Sequence, residues 1–164
     1  MANNIAYLLT GSNMGNREDN LKRAKDLIEI HIGPVKDVSR LYETQAWGKT
    51  DQPNFYNQAL AVETNQYPQV VLKNIFKIEE LMGRVRTEKW ADRIIDIDIL
   101  LFNEDIIDED NLKIPHPHLH ERNFALVPLM DVAGEVLHPV FNMAIEDLYF
   151  ECRDTLDVFM VGED

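Results

Sequence analysis

Two acids, Asp96 and Asp98, lie two residues apart inside the apolar run Ile94-Ile95-Asp96-Ile97-Asp98-Ile99-Leu100-Leu101-Phe102. The run is short and β-branched, so it predicts a strand rather than a helix. Side chains alternate along a strand, which puts both carboxylates on one face and Ile95, Ile97 and Ile99 on the other. Like charges placed this way repel and lose hydration unless something positive sits between them. A divalent cation meets that need, and oxygen donors favour Mg2+ or Mn2+ over zinc. Just upstream, Arg84, Arg86, Lys89 and Arg93 suit the phosphates that accompany Mg2+. For any one of these cations, a solvated arginine or lysine balancing nearby acids is the plainer account. Together with the acid pair they point to nucleotide chemistry.

Other chemistries find less support. Cys152 is the only cysteine and sits among acids, and the chain has neither a G-x-S-x-G elbow nor a Walker A loop. A phosphate-handling protein without a P-loop must hold its nucleotide through metal and arginine. His116-Pro117-His118-Leu119-His120 offers alternate imidazoles, but Pro115 and Pro117 make the segment an irregular loop. One histidine touching a phosphate or nucleotide is preferred there to a zinc ladder. Among the aromatics Trp47, Phe55, Trp90 and Phe124, core packing is the commoner role. Trp47 and Trp90 fall in expected loops, however, and flat faces beside a metal site suit a planar heterocycle.

Composition sets the frame. The 164 residues are read as a single domain, 1–164, long enough to bury a core. A net charge of −13 argues against nucleic acid or an anionic membrane as partner, and makes the local basic cluster stand out. One cysteine permits no intrachain disulfide, and no signal or membrane-spanning stretch is evident, so a cytoplasmic protein is expected. A monomer is favoured over a homodimer.

The elements that must position these residues follow from periodicity. A strand is expected over Ile5–Thr10, running into a tight loop at Gly11-Ser12-Asn13-Met14-Gly15. A helix is expected over Arg17–His31, with Leu21, Ala24, Leu27 and Ile28 on one face and Gly33-Pro34 ending it. Strands follow at Val35–Tyr42 and Phe55–Glu63, separated by the loop Glu43–Asn54, long enough to suggest function. A second helix starts at Pro68, carries Val71, Ile75, Ile78 and Met82 on one face, and ends near Gly83. The acidic strand comes next, then a short hairpin from Ile106-Ile107 and Leu112–Ile114. Short helices are expected around Phe124–Val132 and Met143–Phe150. The order β-α-β-β-α-β predicts an α+β, ferredoxin-like antiparallel sheet with both helices on one face, plus the extra hairpin and short helices.

These residues, in this order, resemble the 6-hydroxymethyl-7,8-dihydropterin pyrophosphokinase family. The likeness is carried by Gly11-Ser12-Asn13, Tyr42-Glu43-Thr44, Asp51-Gln52-Pro53-Asn54-Phe55-Tyr56-Asn57, Ile78-Glu79, Gly83-Arg84-Val85-Arg86, Trp90, Arg93, Asp96-Ile97-Asp98-Ile99-Leu100, Pro115-His116-Pro117, Arg122-Asn123-Phe124 and Pro128-Leu129. It implies the ferredoxin-like fold and transfer of a pyrophosphoryl group from ATP to a pterin alcohol, releasing AMP. It further implies that Asp96 and Asp98 hold two Mg2+ ions, and that Arg84 and Arg93 neutralise phosphate charge during transfer. Glu79, Ile99, His116 and Arg122 would line the ATP site, with Trp90 in a loop closing over it. Phe55 and Phe124 would sandwich the pterin, Thr44 and Asn57 would read its polar edge, and Trp47 would close over it. The chain departs from the family's Trp-Gly-Pro-Arg with Trp90-Ala91-Asp92-Arg93, and has Gln45-Ala46 where some members have two prolines. Phe76 replaces a glutamine that can contact ATP. Two other readings compete: a non-catalytic ferredoxin-like binding module, in which the acids are salt-bridged to Arg84 and Arg93, and another Mg2+-dependent transferase using D-x-D, such as a nucleotide-sugar enzyme. Residues Glu151–Asp164 match no recognisable pattern.

Overall fold

The strand built on Asn4–Ser12 (β1) lies between two partners, and its residues from Leu8 onward are buried. The computed structural model describes residues 4–45, 53–84 and 93–162. Within them the order continues with α1 (Arg17–His31), β2 (Val35–Val38), β3 (Tyr42–Thr44), β4 (Phe55–Thr64), α2 (Pro68–Leu81) and β5 (Asp96–Phe102). A hairpin of β6 (Ile107–Glu109) and β7 (Leu112–Ile114) leads through a 3-10 turn (Leu119–Glu121) to α3 (Asn123–Ala133), α4 (Ile145–Glu151) and β8 (Val158–Met160). The main sheet is antiparallel, in the order β5-β1-β4-β3-β8, with β2 also pairing β4. The fold is α+β. No helix among the described residues is long and apolar enough to cross a membrane.

Both faces of the sheet are covered. Leu21, Ala24 and Ile28 of α1 and Val71, Ile75 and Ile78 of α2 pack on Ala6, Leu8, Leu60, Ile97 and Ile99. Leu126, Leu129 and Ala133 of α3 and Leu148 of α4 pack with Leu9, Leu100 and Leu101. The sequence placed the two long helices on one face; the short C-terminal helices close the other. Burying apolar side chains on both faces at roughly 25 cal/mol per Å2 is what holds these layers together.

Three elements differ from the sequence reading. The expected strand Val35–Tyr42 is two strands, because Ser39 interrupts it. Its hydroxyl accepts from the Ala59 N–H (2.8 Å) and donates to the Arg40 carbonyl (2.6 Å), competing with the ladder. Gly11 and Ser12, expected in a loop, are the last residues of β1. Gly11 is opposite Asn57 on one side and Asp96 on the other. A Cβ there would lie 2.6 Å from Asn57 Nδ2, so glycine keeps the chain extended and leaves room for that side chain. β8 was not foreseen at all. It adds to β3 with Thr44 opposite Val158.

The turn after α1 yields a prediction. Gly33 donates to the Ile28 carbonyl at the helix end, and a Cβ on it would fall 1.9 Å from the Glu63 carbonyl oxygen. Backbone cannot give way as a side-chain tip can. Gly33→Ala should destabilise the fold by about 2 kcal/mol, lowering Tm by several degrees in a thermal melt.

Candidate active site

Because β5 is an edge strand, its outward backbone groups need partners from outside the sheet. Glu79 of α2 supplies one: its buried carboxylate accepts from the Ile97 N–H (2.9 Å). The His116 N–H supplies another by donating to the Leu100 carbonyl (2.9 Å). These contacts bring α2 and the loop after β7 to the strand that carries Asp96 and Asp98. The two acids share a face, with Asp98 opposite Leu9 and Asp96 opposite Gly11.

Between these elements lies an open cleft of about 750 Å3, within the range of small-molecule sites. It brings together Glu79, Arg84, Arg93, Asp96, Asp98, Ile99, His116 and Arg122, eight residues singled out from sequence. Phe76 is in its wall too. Arg84 donates through Nη1 to Glu79 (2.7 Å) and Asp96 (2.9 Å), while Arg93 donates to the other oxygen of Asp96 (3.2 Å). Arg84 Nε is buried with no hydrogen-bond partner among the described residues.

The two aspartates differ. Asp96 is ion-paired to both arginines. Asp98 has no side-chain hydrogen bond or ion pair among the described residues. Its carboxyl is pushed from 3.8 up to about 8, first by burial and then by the charges of Asp96 and Glu79, with Arg122 and Arg93 opposing. Such a group accepts a divalent cation readily, since the cation reverses the cause of the shift. No cluster of three or more His, Cys, Asp or Glu with metal-ligand geometry occurs among the described residues. Asp96 and Asp98, two oxygen donors on one face, are the residues there that could hold a hard divalent cation such as Mg2+.

The histidines diverge. His116 is pulled down to about 4, mainly by burial and also by Arg122 and His118. Its Nδ1 accepts from the His118 N–H (3.2 Å), which leaves the proton of the neutral ring on Nε2 as a donor. His118 meets Glu121 and His120 packs edge-on against Phe141.

On the sheet, Thr44 pairs with Phe55, and Asn57 lies two residues along the same strand, so all three share a face. Thr44 Oγ1 and Asn57 Oδ1 are buried, and neither has a partner among the described residues. Phe124 stands in the first turn of α3, which lies across β4, and the Arg122 guanidinium sits 5.5 Å from its ring centre. Trp47, Arg86, Lys89 and Trp90, with Ala91 and Asp92, lie outside the described residues.

Two residues that join these parts were not assigned roles from sequence. Buried Asn13 accepts from the Arg93 N–H (2.6 Å) and donates to the Pro53 carbonyl (3.2 Å). Arg17 donates to Glu43 (3.1 Å) and the Asn54 carbonyl (2.7 Å). Asn13 was visible within Gly11-Ser12-Asn13, but its partners are 40 and 80 residues away.

A sheet-edge cleft lined by carboxylates and arginines has the chemistry of a protein that handles a polyphosphate, and on the same sheet Thr44 and Asn57 hold buried polar atoms with no partner among the described residues. The sequence model of 7,8-dihydro-6-hydroxymethylpterin-pyrophosphokinase (HPPK) matches residues 7–134, and the chain belongs to that family. It is 37% identical over 153 residues to the 2-amino-4-hydroxy-6-hydroxymethyldihydropteridine pyrophosphokinase of Aquifex aeolicus, covering 93% of this chain and 94% of that one. With the Bacillus subtilis protein of the same name it is 42% identical over 135 residues, 82% of this chain and 81% of the other. Among solved structures, Plasmodium falciparum HPPK-DHPS with SDX-DHP superposes at a TM-score of 0.74 and 25% identity. That match covers 91% of this chain but only 43% of the longer Plasmodium chain.

Proposed function

We propose that the chain transfers the pyrophosphoryl group of ATP to 6-hydroxymethyl-7,8-dihydropterin, releasing AMP and the pterin diphosphate ester in folate biosynthesis. Family membership supports this, and the single most telling observation is the crowded Asp98, without a side-chain hydrogen bond among the described residues, beside Asp96 in an arginine-lined cleft. Incubating the protein with Mg2+ and both substrates, then separating nucleotides by chromatography, tests it. AMP should appear only when ATP and the pterin are both present; ADP would indicate an ordinary kinase.

The roles divide by position. Asp96 and Asp98 would hold two Mg2+ ions, with Mn2+ able to substitute. A cation held there would supply charge neutralisation along the triphosphate and lower the pKa of the attacking hydroxyl. Arg84 and Arg93 would turn from Asp96 to phosphate oxygens, His116 would donate from Nε2, and Arg122 and Ile99 would complete the nucleotide wall. Glu79 acts behind them, holding Arg84 and the backbone of Ile97. On the pterin side, Phe55 and Phe124 would sandwich the ring, and Thr44 Oγ1 and Asn57 Oδ1 would take partners from its polar edge. Trp47 would close over the pterin and Trp90 over ATP, as the resemblance implies. In-line attack of the hydroxymethyl oxygen on the β-phosphorus expels AMP, and positioning with electrostatic stabilisation supplies most of the rate. The strand arrangement favours the ferredoxin-like description; that 1–164 is a single pyrophosphokinase domain, and that it works as a monomer in the cytoplasm, stay expectations of the sequence reading.

Metal binding should depend on pH. Asp98 is protonated below about 8 and must lose that proton to coordinate a cation. Mg2+ affinity should therefore rise by up to about tenfold per pH unit between pH 6 and 8 and then level off. Calorimetry in buffers of different ionisation enthalpy should detect the released proton.

One observation favours the non-catalytic module: Asp96 is already satisfied by Arg84 and Arg93. That reading expects nucleotide binding without turnover, and the AMP assay separates the two.

A further inference from the structure

We propose that Asp154, in the segment after α4, is a positioning residue for the pterin pocket. The inference rests on the reading that Thr44 and Phe124 contact the pterin. A helix begins with N–H groups that have no intrahelical acceptor, and Arg122, the cap residue of α3, provides no side-chain bond to them. Asp154 does so from elsewhere in the chain. One carboxylate oxygen accepts from the Asn123 N–H (2.9 Å), and the Asp154 carbonyl accepts from the Asn123 side-chain amide (3.2 Å). The other carboxylate oxygen accepts from the Leu156 N–H (3.0 Å), which fixes the carboxylate in its own turn. A negative charge there also complements the positive end of the helix dipole. Asn123 stands between Arg122 and Phe124, so gripping it orients both neighbours.

The same segment grips the opposite wall. Four residues after Asp154, Val158 pairs with Thr44, and the Val161 N–H donates to the Leu41 carbonyl (2.8 Å). Four residues span at most about 14 Å. Asp154–Val158 therefore acts as a short strap that sets the spacing between the start of α3 and the end of β3. One end holds Asn123, the residue before Phe124, and the other pairs with Thr44. The strap lies beyond the residues 7–134 matched by the family's sequence model.

A residue that spaces two binding walls should alter ground-state binding more than turnover. Asp154→Ala should raise KM for the pterin about tenfold while kcat stays within about twofold. Asp154→Asn, which keeps one acceptor oxygen, should fall between wild type and alanine. Asn16→Ala serves as control. It removes the cap of α1, whose side chain accepts from the Asp19 N–H, and should lower Tm without moving the pterin KM. If both alanine variants shift the pterin KM equally, or neither does, the proposal is overturned. If Asp154→Ala does not fold, the pterin Kd of Asp154→Asn decides in the same sense. Wild type that makes no AMP would instead remove the functional reading itself, and this inference with it.

Discussion

Asp98→Asn should leave a well-folded protein whose Mg2+-dependent AMP formation is slowed at least about a thousandfold, equivalent to about 4 kcal/mol of barrier. The substitution keeps the shape of the side chain and removes the charge a cation needs. Its effect on stability has the opposite sign. The Asp98 carboxyl stands at about 8 in the folded protein against 3.8 ordinarily. Between these values the folded state holds a proton that the unfolded chain has released, so metal-free stability falls as pH rises from about 4 to 8. Asparagine has nothing to titrate, so metal-free Asp98→Asn should melt above wild type at pH 8. A purely structural acid would give the reverse: lower Tm and little change in rate. Activity assays and thermal melts in chelator measure both.

Glu79→Ala should lose stability as well as activity. The carboxylate is buried and holds Arg84 and the Ile97 N–H at 2.7 and 2.9 Å. Among the described residues, its removal leaves a nearly buried guanidinium with only Asp96 as partner, and the Ile97 N–H with no acceptor. Breaking one side of a buried pair costs about 3 kcal/mol, so Tm should fall by roughly 10 °C. Activity should fall with it as Arg84 loses its orientation. Glu79→Gln retains an acceptor for one of the two donors and should lie between. If Glu79→Ala melts at the wild-type temperature, Glu79 has no structural part in the site.

The parts of the site legible in the sequence are those whose signal is local. Asp96 and Asp98 declared themselves by alternation within a β-branched run, and α1 and α2 by apolar spacing that the packing reproduces at Leu21, Ala24, Val71 and Ile78. Glu79 had a partial signal, an acid beside Ile78 on the buried face of α2. Contacts made over long separations had none. Asn13 joins segments on either side of it in space but not in sequence. β8 is three residues whose pairing with β3 rests on backbone hydrogen bonds that leave no composition behind. The division of Val35–Tyr42 came from one serine hydroxyl, which periodicity cannot weigh.

The most direct measurement of the central claim is phosphorus NMR on a single reaction of protein, Mg2+, ATP and 6-hydroxymethyl-7,8-dihydropterin. Attack at the β-phosphorus predicts loss of the ATP resonances with growth of AMP and of a coupled pair belonging to one diphosphate ester. A single new ester phosphorus accompanied by ADP, or ATP left unchanged, would contradict the account.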